Sequence, residues 1–391
     1  MSLSVINRVK YSPTLYSIYS YIGNKLIRLL RFVVRPNPKL IVFNSFGGRK
    51  YDDSTRCIYE KMIQDHRFDT YEIIWAFIDP KKYNIPHGKK IKTDTFIFFI
   101  NVLKARCWIT NSSMTRGLSF KGKNTFYFNT WHGTPIKLMG SDINTSNTSF
   151  GLKERESNID IMLAQGKYEA NIFSRVFNIP IERFRIIGLP RNDELTDYSM
   201  KEVEKIKNEL HLPDNKKVIL YAPTFREYTK DENYNCVMTP PIEIQKWEKA
   251  LSSEYVLLIR AHYEVTRIMH IVDNDFVRDV SSFSNLNKLM MISDLLISDY
   301  SSIFFDYSIL NKPMFCFAYD YDTYMEKRGL YFDIREELGN SSNEDEMISC
   351  LLNYNLQERI DITRTFRKHY IEEYGGASKK SLDIIYENIH Q

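Results

Sequence analysis

Apolar runs rich in β-branched and aromatic residues alternate along this chain with stretches whose apolar positions recur every three or four residues. Runs at 40–45, 72–77, 107–111, 125–129, 159–164 and 185–188 have the character of strands, and 53–65, 94–105 and 167–177 that of helices. The pattern then restarts, with strands at 217–222, 255–260, 276–280, 294–298 and 313–317 and helices at 241–252, 285–292, 301–310 and 344–352. Strands that are apolar throughout and separated by helices predict mostly parallel sheets covered on both faces. The expected fold is therefore α/β, two Rossmann-like doubly wound halves with a ligand cleft at the carboxyl ends of both sets of strands. A charged helix at 200–210 serves as connector, and 141–149 reads as a loop. Helices near 361–374 and 378–390 can cross back over the first half.

Length agrees with this division, since 391 residues exceed one ordinary core and suit two domains of about 180 residues each. The expected boundaries are 1–38, 39–198, 199–372 and a C-terminal helix over 373–391. Hydrophobic residues make up 43% and charged residues 26%, the balance of a folded protein. Five scattered cysteines, Cys57, Cys107, Cys236, Cys316 and Cys350, form no CxxC pair, which argues against zinc and a disulfide framework and fits a reducing compartment.

The net charge of +4 is unevenly placed. No acidic residue precedes Asp52, whereas Arg8, Lys10, Lys25, Arg28, Arg31, Arg35 and Lys39 lie before it, interleaved with Leu15, Ile18, Tyr19, Ile22, Leu26, Leu29, Leu30, Phe32 and Val33. Arg28 and Arg31 interrupt an apolar stretch that is too short and too charged to span a bilayer. A basic amphipathic helix on an anionic membrane surface accounts for both features; the plainer alternative is a helix docked on its own protein. No nucleic-acid recognition motif accompanies the basic arm, and no signal peptide is evident.

Several polar clusters fall at predicted strand ends. Trp131-His132-Gly133-Thr134-Pro135-Ile136-Lys137 places a histidine and a lysine beside a flexible turn. A histidine titrating near neutrality can take a proton from a hydroxyl, and Lys137 supplies positive charge; equally, His132 can simply hold the turn. At Ser298-Asp299-Tyr300-Ser301-Ser302, both serines are expected in the first turn of a helix, where free N–H groups and hydroxyls together bind phosphate, although Asp299 and Ser301 can also be plain caps. Arg260-Ala261-His262 and Pro223-Thr224-Phe225-Arg226 also end strands, and Lys327-Arg328-Gly329 forms a basic loop. No GxGxxG, Walker loop, HExxH or GxSxG occurs, nor an acidic cluster suited to a catalytic cation, so no cofactor or metal is expected.

Taken in order, His132-Gly-Thr-Pro-Ile-Lys137, Gly188-Leu-Pro-Arg-Asn-Asp193, Tyr221-Ala-Pro-Thr-Phe-Arg226, Arg260-Ala-His262 and Ser298-Asp-Tyr-Ser-Ser-Ile-Phe-Phe-Asp306 resemble the CDP-glycerol glycerophosphotransferase family, the teichoic-acid primases and polymerases and related capsule enzymes. The resemblance extends from about Leu40 to Tyr374. It implies a GT-B-type fold, an acceptor domain over 39–198, a CDP-donor domain over 199–372, and peripheral attachment to the cytoplasmic face of the cell membrane. It also implies transfer of glycerol phosphate from CDP-glycerol to a lipid-linked (polyprenyl diphosphate) acceptor, releasing CMP. On these motifs His132 is the expected general base and His262 the histidine facing the donor diphosphate. Gly133, Thr134, Lys137, Arg191, Thr224, Arg226, Arg260, Asp299, Ser301, Ser302, Asp306 and Arg328 are the expected substrate contacts. Many relatives carry proline after the second histidine, where this chain has Tyr263. CDP-ribitol transfer, a GT-B glycosyltransferase using a nucleotide-sugar, and a catalytically silent envelope-assembly partner are the competing readings.

Overall fold

The computed structural model describes residues 12–143, 158–224, 226, 241–261 and 271–390. The expected His262 and Tyr263, and most of the predicted loop 141–149, lie outside them. The chain divides into two compact units: Met1–His132, Met139–Asp193 and Glu372–Gln391 form the first, and Gly133–Leu138 with Glu194–Ile371 the second.

The first unit opens with helix α1 (Pro13–Val33), started by Ser12, whose Oγ accepts the N–H of Leu15, and by a proline that needs no N–H partner in the first turn. One face of α1 is docked: Tyr16 and Tyr19 donate to the carbonyls of Gly117 and Arg116, Asn24 accepts from Ser119 N–H, and Ile27 is buried. The opposite face leaves Leu15, Ile18, Ile22, Leu26, Leu29 and Val33 exposed. No helix among the described residues is long and apolar enough to cross a membrane.

A seven-stranded parallel sheet follows, built from β1 (Asn37–Asn44), β2 (Glu72–Phe77), β3 (Lys89–Lys92), β4 (Ala105–Thr110), β5 (Phe126–Asn129), β6 (Ile161–Ala164) and β7 (Phe184–Ile186) in the order β3-β2-β1-β4-β5-β6-β7. Helices α2 (Asp53–Met62), α3 (Phe96–Lys104) and α4 (Lys167–Phe177) join these strands. Strand β3 escapes the sequence reading because Lys-Lys-Ile-Lys has no apolar run; it is an edge strand, where lysines discourage further pairing. Much of the aromatic content goes into this core, where Trp75 stacks between Phe43 and Phe77 at 5.2 and 5.4 Å.

The second unit contains a five-stranded parallel sheet of β8 (Lys217–Tyr221), β9 (Tyr255–Ile259), β10 (Val277–Asp279), β11 (Leu295–Ser298) and β12 (Met314–Cys316), ordered β10-β9-β8-β11-β12. Its helices are α5 (Met200–Glu209), α6 (Ile244–Leu251), α7 (Leu286–Ile292), α8 (Ile303–Ser308), α9 (Tyr321–Lys327), α10 (Ile334–Leu338), α11 (Glu344–Asn353) and α12 (Leu356–Tyr370). The brevity of α9 and α10 hid them from a periodicity search, which needs several turns to register.

The last helix, α13 (Ala377–Ile389), belongs to the first unit and buries Leu382, Ile385 and Ile389 in the same cluster as Ile41, Tyr59 and Trp75. The Gly188–Asp193 motif holds it there. Gly188 has φ +85°, and a Cβ on it would meet Glu373 O and Tyr374 Cα at 3.0 Å, so only glycine allows this approach. The Asp193 carboxylate then accepts the N–H groups of Ala377 and Ser378 at 2.8 Å, capping α13.

Candidate active site

Each sheet reverses its winding once, between β1 and β4 in the first and between β8 and β11 in the second. Loops leaving neighbouring strands diverge at such a point and open a crevice at the strands' carboxyl ends. The polar motifs gather at both.

In the first unit the loops are stitched together by side-chain amides. Asn111, just past β4, accepts the Phe46 N–H on Oδ1 at 2.7 Å, tying the loop after β1 to the loop after β4. Asn129, at the end of β5, accepts the Trp131 N–H at 2.8 Å and donates to Ser112 O at 2.7 Å. Gln165, after β6, accepts from Asn192 at 2.9 Å. Sequence reasoning missed these residues; an amide ending an apolar strand was the available signal, but it looks like the first residue of any loop.

These bonds force Trp131 into left-handed backbone, φ +49°, with Phe46 at +47° and Asp53 at +66° nearby in the same region. For a bulky residue such a conformation costs on the order of 1 kcal/mol or more, and it persists only where surrounding bonds impose it.

His132 follows, and its Nδ1 lies 2.6 Å from the Asn111 carbonyl oxygen. A carbonyl only accepts, so Nδ1 carries the proton and, in the neutral ring, Nε2 keeps its lone pair. Although half-buried by surface exposure, the imidazole is densely surrounded, and its pKa is lowered from the ordinary histidine value chiefly by that burial. The bond to Asn111 and the charge of Asp53 act in the opposite direction, while Arg191 and Arg49 add to the lowering. A neutral imidazole with a fixed tautomer can accept a proton through Nε2.

Arg191, expected to contact substrate, forms an ion pair with Asp53 at 3.1 Å, with both side chains largely buried. Gly133, Thr134 and Lys137 group with the second unit. There Lys137 bridges Leu330, Tyr331 N–H donates to Ile136 O, and Arg328 donates to Leu138 O. Arg328 thus anchors the backbone of the turn through one of its guanidinium nitrogens. Gly329, at φ +72°, packs where a Cβ would meet Leu138 Cδ1 at 2.5 Å.

The second centre also differs from expectation. Arg226 is 2% exposed and donates through Nε and Nη2 to both oxygens of Asp320, at 2.7 and 2.8 Å, and through Nη2 to Asp299 at 2.9 Å. Tyr300, Tyr319 and Tyr324 enclose the guanidinium at 5.0–5.2 Å. A guanidinium so enclosed is a structural hub, which corrects its expected role as a phosphate ligand. Asp299 is likewise engaged: Oδ1 accepts the N–H groups of Thr224 and Tyr300 at 2.8 Å, so it shapes the turn instead of reaching substrate. Arg260 donates to Val280 O and Phe283 O, holding the next loop.

The serine turn precedes its helix. Helix α8 begins at Ile303, six residues long, and Ser301 Oγ accepts the Ile303 N–H at 3.3 Å. Ser301 and Ser302 are half-buried, Asp306 is buried within α8, and the buried Thr224 Oγ1 has no hydrogen-bond partner among the described residues. The two serines thus lie at the end of β11 just ahead of α8, and not inside its first turn as expected.

Two doubly wound parallel domains with polar centres at their switch points define a GT-B-like protein. The family model for CDP-Glycerol:Poly(glycerophosphate) glycerophosphotransferase matches residues 27–390. The chain is 32% identical over 374 residues to a teichoic acid glycerol-phosphate transferase of Staphylococcus aureus, covering 90% of this chain and 94% of that one. It is 35% identical over 314 residues to a teichoic acid poly(glycerol phosphate) polymerase of Staphylococcus epidermidis, covering 77% of this chain but only 43% of that polymerase. The structure of the wall teichoic acid polymerase TagF superposes with a TM-score of 0.82 at 30% identity, over 100% of this chain and 99% of that one. The chain belongs to the CDP-glycerol:poly(glycerophosphate) glycerophosphotransferase family.

Proposed function

We propose that this chain transfers glycerol phosphate from CDP-glycerol to a hydroxyl of a membrane lipid-linked acceptor, with His132 as general base. The observation that carries the reading is the 2.6 Å contact between His132 Nδ1 and the Asn111 carbonyl, which leaves Nε2 as proton acceptor on a ring kept neutral near pH 7. The acceptor oxygen attacks the β-phosphorus as its proton passes to Nε2. The bond from that phosphorus to the bridging oxygen breaks, and CMP leaves with the electron pair. The first domain serves the acceptor and the second the CDP donor. Thr224, Ser301 and Ser302 hold donor phosphate oxygens, while Asp299, Arg226, Arg260 and Arg328 keep the donor loops in shape. His262 takes the leaving-group side by its motif. One TagF structure was obtained after a soak with CDPG, which supports the choice of donor.

The exposed stripe of α1, with Lys25, Arg28 and Arg31 beside it, suits peripheral attachment to an anionic membrane surface, on the cytoplasmic face where the nucleotide donor is found. The deciding assay offers purified protein CDP-glycerol or CDP-ribitol with a synthetic polyprenyl-diphosphate acceptor, and reads CMP and product mass. His132→Ala is expected to lower kcat by about 10²–10⁴-fold with CDP-glycerol affinity retained. Undiminished CMP release by that variant would remove His132 from the chemistry.

A further inference from the structure

His132 is in contact with two aromatic rings. The indole of Trp131 stacks on the imidazole with centroids 4.3 Å apart and planes 27° from parallel, and the Phe46 ring lies 5.5 Å away at 55°. Both aromatic residues sit in left-handed backbone, so this contact is maintained against local strain. Phe173 and Phe177 of α4 support the indole at 5.8 and 4.6 Å, and Thr130 Oγ1 donates to Trp131 O at 2.9 Å.

An aromatic face responds strongly to a cation and weakly to a neutral ring. A general base is neutral before reaction and cationic as the proton arrives, so a ring stacked on it favours the transition state over the ground state. We propose that Trp131 is a positioning residue that holds the His132 ring and stabilises its imidazolium form through the stacked indole. This rests on the reading of His132 as the base. The charged groups facing that imidazole are Asp53 at the start of α2, Arg191 in the Gly188–Asp193 motif and Arg49 in the loop after β1; Lys50 of the same loop lies 5.5 Å from the Phe46 ring. None of these is altered by changing the electron density of an indole.

The test is a titration of His132 by nuclear magnetic resonance, its signal assigned by loss in His132→Ala, in protein carrying tryptophan, monofluorotryptophan or difluorotryptophan. Fluorine drains the ring face with little change of shape, and the imidazole pKa is expected to fall stepwise, by about half a unit across the series. Trp75, Trp108 and Trp247 are fully buried and are labelled too, so the same series is run in Trp131→Phe, where no shift is expected. In parallel, kcat should fall with fluorination while KM for CDP-glycerol stays constant. An unchanged or rising pKa across the fluorinated series, or an equal shift in Trp131→Phe, overturns the proposal. The base assignment fails separately: an active His132→Ala removes it whatever the titration gives, whereas a silent His132→Ala with an unresponsive pKa removes only the role of Trp131.

Discussion

A lowered histidine pKa has a definite signature in rate. Above its pKa the imidazole of His132 is neutral and able to take a proton; activity is lost as pH falls through that value. With CDP-glycerol as donor, the acidic limb of kcat/KM is expected to have its midpoint below 6.5, leaving a plateau at pH 7. A midpoint above 6.5 would contradict a burial-dominated environment. Arg226 predicts the opposite kind of effect, on folding. Arg226→Ala leaves the Asp299 and Asp320 carboxylates without their shared cation, and the loss of stability in urea unfolding should be about 3–5 kcal/mol. Why this arginine read as a ligand is clear from chain separation: its partners lie 94 and 73 positions away. From sequence alone an arginine after a strand looks available, and no pattern announces that two distant carboxylates already hold it.

Among the elements, legibility followed the length of the apolar pattern. Strand β2 and helix α4 match the ranges read from sequence because each carries its full periodic signal. The expected helix began at Ser301, two residues before its observed start at Ile303, since Ser-Ser before an apolar run fits either a cap or a first turn. The reading of α1 as amphipathic needed only spacing; which face is docked required the tyrosine hydroxyls to find Gly117 and Arg116. The membrane proposal is tested on that element. Ile22 and Leu26 are 52% and 57% exposed, so Ile22→Glu with Leu26→Glu should leave thermal unfolding within about 1 kcal/mol of the parent. The same pair should abolish co-sedimentation with phosphatidylglycerol vesicles. Retained binding would assign the exposed stripe to another partner.

For the whole molecule, parallel sheets and two halves were readable because near-continuous apolar strands recur with helices between them. The expected boundaries at 198/199 and 372/373 stand beside unit limits at Asp193/Glu194 and Ile371/Glu372, whereas the grouping of Gly133–Leu138 with the second unit had no signal in the sequence. Helix α13 supplies Leu382, Ile385 and Ile389 to the first core. At about 1.5–3 kcal/mol for each buried apolar side chain, this contribution rivals the roughly 5–15 kcal/mol that keeps a whole domain folded. A chain ending at Ile371 should therefore lose the first unit's cooperative unfolding transition and gain dye-binding apolar surface. A truncated chain that keeps that transition would show α13 to be dispensable.

The return of α13 also bears on how the protein is made. The ribosome delivers β1 to β7 early, yet the helix that closes their core emerges only after the second unit has been made. Domains that are contiguous in sequence can settle while translation proceeds. Here the half bearing His132 waits for α13, which follows the whole segment Glu194–Ile371 in the chain. Nascent copies thus keep that core open until α13 has been made, in the care of chaperones until then.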